Sequence, residues 1–156
     1  MDQTNKILMD VFGNAAESFA YMFAEPYEDA EAPPAPESAL KVSMSFNGAL
    51  AGEIVLLVPE SLCPAIAANA LGLEPEDVEA ASGARDALKE LLNVTCGQLL
   101  TALAGEEPVF DLTVPEGSIL EEGEWVKYCV APGSVLLSLE DEPAILQLTM
   151  AEDKTT

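Results

Sequence analysis

Histidine is absent from the 156-residue chain, and Lys and Arg together number 6 against 28 Asp and Glu. Phosphate backbones are bound by clustered bases, so nucleic acid is excluded as a partner class. The net charge of −22 argues equally against adhesion to an anionic membrane. Most of that acidity reads as solubility and self-repulsion. Cysteine is sparse too. Cys63, Cys96 and Cys129 are widely spaced among apolar neighbours, and with neither CxxC nor histidine a zinc site lacks ligands. No bound cofactor or metal is expected, and the thiols should be buried and reduced. Long apolar runs are missing as well: Glu53, Pro59, Glu60 and Pro64 break the longest stretch short of the ~20 residues that span a bilayer. The first residues lack the basic-then-apolar pattern of a secretion signal, so a cytoplasmic location is expected.

What is present is a foldable chain. At 49% hydrophobic residues it can bury a core, and its length suits one domain over 1–156. Ile7, Leu8, Val11, Phe12, Ala15, Phe19, Met22 and Phe23 recur at helical spacing and predict a helix over 5–24, ended before Pro26. Residues 26–37 are acidic and proline-rich, which predicts an extended surface connector. Alternation over 40–46, Asn47-Gly48 as a turn, and a return strand over 49–58 predict a hairpin. A helix over 59–71 closes at Gly72, and a short one follows over 74–81, interrupted at Ser82-Gly83. Later strands are expected near 108–114, 125–131, 134–140 and 144–149, and a frayed tail over 151–156. Element order repeats roughly, a long helix then a hairpin, in 5–58 and again in 84–149.

The helix expected over 85–104 is the informative stretch. Leu88, Leu91, Leu92, Thr95, Leu99, Ala102 and Leu103 form its apolar side. At ~100° per residue, Asp86, Glu90, Asn93, Gly97 and Thr101 fall within roughly 80° of one another on the other side. Three features of this face carry a small cost. Asn is a mediocre mid-helix residue, Asp86 and Glu90 are like charges four apart, and Gly97 weakens the helix by roughly 1 kcal/mol. Local rules are broken most often at functional sites. A glutamate, a carboxamide and an open glycine on one face make a small docking surface. Arg85 and Lys89 precede the motif, where they balance charge along the helix or edge the docking face.

Glu90-Leu91-Leu92-Asn93, with Gly97, Leu100, Ala102, Leu103, Gly105, Phe110 and Pro115 after it, resembles the motif-helix signature of the CheX branch of the CheC/CheX chemotaxis phosphatases. The resemblance implies an α+β fold with long helices packed on an antiparallel sheet. It implies a phosphatase acting on phosphoaspartate in a CheY-type response-regulator receiver of chemotaxis or two-component signalling. Asn93 would orient the attacking water, Glu90 would pair with the receiver's lysine, and the receiver would bring its own Mg²⁺. Gly97 and Lys89 would serve docking, and a homodimer is implied. Gln98 stands where the signature carries Asn, which bears on partner choice. The first helix offers Asp10-Val11-Phe12-Gly13 but no ExxN, so a second site of the CheC kind is not expected. Two other readings remain: a non-catalytic receiver-binding or flagellar-switch-like scaffold, and a two-carboxylate hydrolase using Glu90 with Asp86 or Asp111.

Overall fold

Alternation along residues 40–46 sends Leu40, Val42, Met44 and Phe46 to one face of a strand, and all four are buried. That strand belongs to a seven-stranded antiparallel sheet in the computed structural model, which describes residues 3–29, 31–72 and 80–151. The first helix α1 (Gln3–Ala20) leads into a short strand β1 (Ala24–Pro26). The hairpin β2 (Ala39–Asn47) and β3 (Gly52–Pro59) comes next, then a 3₁₀ turn over Glu60–Leu62 and the helix α2 (Cys63–Leu71). The long helix α3 (Ala80–Ala104) precedes two short strands, β4 (Asp111–Leu112) and β5 (Glu116–Ile119). A two-turn helix α4 (Glu124–Val130) and the hairpin β6 (Ser134–Leu139) and β7 (Glu142–Met150) complete the described chain.

Strand order is β1-β6-β7-β3-β2-β4, with β5 also pairing with β2. The rough repeat seen in the sequence is therefore present in space. Each half contributes a long helix and a hairpin, and the hairpins meet through β3 and β7. The short strands are exchanged: β1 follows α1 but pairs with β6, while β4 and β5 follow α3 but pair with β2.

Three helices cover one face. Leu8, Phe12, Leu88, Leu92 and Leu99 meet Val42, Ile54, Leu56, Leu137 and Leu146 there, all fully buried. A buried side chain of this size stabilises the fold by about 1.5–3 kcal/mol, so this layer carries most of the burial. The second face is lighter. Trp125 of α4 packs on Ala39, Val55, Leu57 and Ile145. The Lys41 ammonium lies 5.6 Å from the centre of the Tyr128 ring, and its hydrogen bond to Tyr128 holds its pKa above the ordinary lysine value.

Several expectations need correction. The first helix stops at Ala20 because Tyr21 adopts left-handed backbone (φ 52°), turning Met22 into the core and Ala24–Pro26 into an edge strand. Residues 125–131 are mainly helical, since Trp125, Tyr128 and Cys129 bury together only at helical spacing. Of the strand expected over 108–114 only Asp111–Leu112 is strand, a further strand, Glu116–Ile119, lies beyond that range, and the return strand of the first hairpin begins at Gly52. The first hairpin loop is longer than two residues, with Phe46 facing Gly52. Gly48 is required there by proximity: a Cβ would lie 2.9 Å from both the Phe110 ring and the Val109 carbonyl. Ser82-Gly83 does not interrupt α3. Of the short helix expected over 74–81, residues 74–79 lie outside the described residues, as do 152–156 of the tail.

The second hairpin turn is tight. Leu139 faces Glu142, and both residues between them, Glu140 and Asp141, have positive φ (50° and 67°). That pair of signs matches the right-handed twist of the strands it joins. Gly133, at φ 79°, turns the chain from α4 into β6.

Candidate functional site

α3 packs between α1 and α2 and crosses β2. Ala84, Ala87, Leu88, Leu91, Leu92, Cys96, Leu99 and Leu100 anchor it. Thr95 sits among them, fully buried, and satisfies its hydroxyl by donating to the Leu91 carbonyl at 2.8 Å. Ala102, expected on the apolar side, is exposed. Gly105 stops the helix at φ 86°, its N–H donating to the Thr101 carbonyl at 2.9 Å.

The opposite side faces outward as the spacing requires. Asp86, Glu90 and Thr101 are exposed, while Asn93 and Gly97 are half-buried. No atom outside the helix lies within 4 Å of where a Cβ on Gly97 would stand, so the backbone is open to approach. Thr101 donates its hydroxyl to the Gly97 carbonyl at 3.1 Å.

Glu90 and Asn93 line one wall of an open groove of about 360 Å³ together with Asp86 and Lys89. Its other wall is Leu112, Thr113, Val114 and Pro115, the junction between β4 and β5. The groove thus brings Lys89, Glu90 and Asn93 together, whereas Gly97, a turn further along, is not among its lining residues. Of the two acids considered as partners for Glu90, Asp86 lines the groove and Asp111 does not. Of the opposite wall, Pro115 alone was singled out from sequence, within the family signature. Pro115 carried the available signal, since proline within a strand pattern marks an edge or a bulge.

Arg85 and Lys89 lie flat against β5. A Cβ on Gly117 would come within 3.0 Å of the Arg85 Cγ and 3.2 Å of the Lys89 Cε, so the glycine makes room for both stems. Burial pushes the Cys63 and Cys96 thiols up to about 11, with Glu60 adding to the effect at Cys63. Neither is a ready nucleophile at neutral pH. Among the described residues, no three His, Cys, Asp or Glu side chains gather to hold a metal ion, and no helix is long and apolar enough to cross a membrane. Another groove, of about 430 Å³, lies on the α4 side between residues 35–39 and 119–125, away from the motif helix.

A family described as chemotaxis phosphatase CheX matches residues 41–125, a span that includes the motif helix and both walls of the groove. No curated protein matches the chain. Among solved structures, CheX from Vibrio vulnificus is similar at a TM-score of 0.70 and 16% identity, covering 96% of this chain and 97% of that one. A putative chemotaxis protein from Desulfovibrio vulgaris Hildenborough also reaches 0.70, at 14% identity and the same coverages. The CheX of a CheX-CheY-BeF₃-Mg²⁺ complex from Borrelia burgdorferi is similar at 0.65 and 19% identity, covering 94% of this chain and 97% of that one. These likenesses establish a common α+β fold.

Proposed function

This chain belongs to the CheX family of chemotaxis phosphatases, and on that premise we propose that it accelerates loss of phosphate from the phosphoaspartate of a CheY-type receiver. One observation carries the reading. Glu90 and Asn93, the ExxN pair, stand on the same wall of an open groove, with Gly97, open to approach, one turn further along the helix. A receiver can reach both without either side chain leaving the helix. The Borrelia complex, in which a protein of this fold holds CheY, supports the choice of partner.

In the proposed reaction the Asn93 carboxamide enters the receiver's site and orients a water in line with phosphorus. The water oxygen bonds to phosphorus, the acyl P–O bond breaks, and inorganic phosphate and an aspartate carboxylate result. Glu90 pairs with the receiver's lysine and fixes the approach of the helix. Phosphoryl transfer of this kind depends on position and electrostatics more than on a strong base, so a neutral amide suffices. The receiver brings its own Mg²⁺ to the complex. A homodimer belongs to the same proposal, and sedimentation at the assay concentration tests it.

The experiment mixes the purified chain with a phosphorylated receiver from the same source and follows phosphate release. Acceleration that disappears in Asn93→Ala supports the mechanism. Tight binding without acceleration favours a scaffold role, and full activity in Asn93→Ala removes the water-positioning step.

A further inference from the structure

The groove wall facing Glu90 and Asn93 is irregular in a defined way. Leu112 pairs with Phe46 and Glu116 with Ser43, and the Thr113 N–H donates to the Ser45 carbonyl at 3.0 Å. Between those anchors one residue of β2, Met44, faces two residues of the outer strand, Val114 and Pro115. This is a β-bulge. Met44 points into the helix-side core, and both bulged residues line the groove on that side. A regular strand would set one residue there.

The bulge is held in place by a side chain. Ser45 donates its N–H to the Thr113 hydroxyl at 2.8 Å, so a hydroxyl stands where a strand carbonyl usually accepts. Pro115 has no N–H to leave unpaired at the irregular step. Val114 is then 83% exposed, with Leu112 beside it at 40%. Leu112 and Val114 both line the groove, so two large exposed hydrophobics stand together on this wall.

Resting on the phosphatase reading, we propose that the Thr113–Pro115 bulge is the receiver-selecting wall of the groove. Val114 contacts the receiver beside its phosphoaspartate, and Thr113 acts as a positioning residue that fixes Val114. The occupant follows from continuity and charge. Whatever places a phosphoryl group at Asn93 also covers Val114, because the two residues line one groove. Lys89 is the cation in that groove and complements the phosphoryl dianion. On a chain of 28 acids and 6 bases, with Asp86 and Glu90 in the same groove, an apolar contact supplies docking area that long-range charge does not. It also excludes water from the rim of the site, as apolar contacts do around an energetic centre.

Phosphate release measured against receiver concentration tests the assignment with the full chain. Val114→Asp is expected to raise KM about tenfold while kcat stays within about twofold. Thr113→Val is expected to raise KM by a smaller factor, and Thr113→Ser, which keeps the hydroxyl, to restore it. Unfolding curves of each variant guard against loss of fold, and Val114 is exposed enough for substitution. An unchanged KM in Val114→Asp overturns the proposal even where the wild type is active and Asn93→Ala is not. If the wild type is inactive the phosphatase reading fails, and a titration of receiver binding still decides docking: equal Kd for wild type and Val114→Asp overturns it. A shift in self-association of Val114→Asp with unchanged receiver affinity overturns it too, by assigning the patch to a second copy of the chain.

Discussion

The indole N–H of Trp125 donates to the carbonyl of Pro33 at 3.1 Å, joining two residues 92 positions apart. The proline-rich connector is thereby fastened to the second face of the sheet. Pro33 is buried, while its neighbours on the connector are largely exposed. Trp125→Phe keeps the ring packing but orphans that carbonyl, so stability should fall by about 1 kcal/mol. Amide exchange over residues 31–38 should quicken, while phosphate release stays near wild type. Unchanged exchange in that segment would show that the indole does not hold the connector.

Gly97 links stability and docking. It stands mid-helix with open space where a side chain would go. Gly97→Ala should therefore raise stability by roughly 0.5–1 kcal/mol, a gain of a few degrees in Tm. The same methyl stands where a partner helix or loop would approach, so KM for the phosphorylated receiver should rise. A stabilised variant with unaltered KM would remove Gly97 from the docking surface.

Alkaline pH should weaken the fold through the two buried thiols. Folding raises their pKa from about 9 to about 11, so the native state keeps protons that the unfolded chain loses in that range. Their contribution is intact below about pH 9 and is lost progressively as pH rises towards about 11. Denaturation curves across this window, compared between wild type and Cys96→Ala, should show a shallower fall in the variant. Equal slopes would mean that the Cys96 thiol ionises as readily folded as unfolded.

Much of the fold was legible in the sequence because its main elements repeat their pattern for long enough. The alternation in 40–46 and the stripe along α3 each specify a face. The segment 125–131 was not legible in the same way. Val126, Tyr128 and Val130 favour strands by propensity, and the spacing of Trp125 to Tyr128 and Cys129 decides for a helix only when the second sheet face is there to receive it. The end of α1 was equally hidden, since a left-handed tyrosine has no residue signature. At the site, the spacing of Glu90 and Asn93 on an exposed face was readable from the helical period alone. The facing wall was not, because it depends on the register of an outer strand against β2, a relationship between residues some 70 positions apart.

Glu90 should separate from Asn93 in kinetics. A residue that pairs with the receiver's lysine contributes to the approach of the helix as well as to the reaction, so Glu90→Gln should raise KM and lower kcat together. A change confined to kcat would give Glu90 a role in positioning water instead.

The central claim rests on one amide. Single-turnover phosphate loss from a phosphorylated receiver, measured with saturating chain, compares wild type with Asn93→Ala directly. Asn93→Ala is expected to lower the accelerated rate about 100-fold or more, with receiver affinity and unfolding midpoint little changed. Dephosphorylation by Asn93→Ala at the wild-type rate would contradict it.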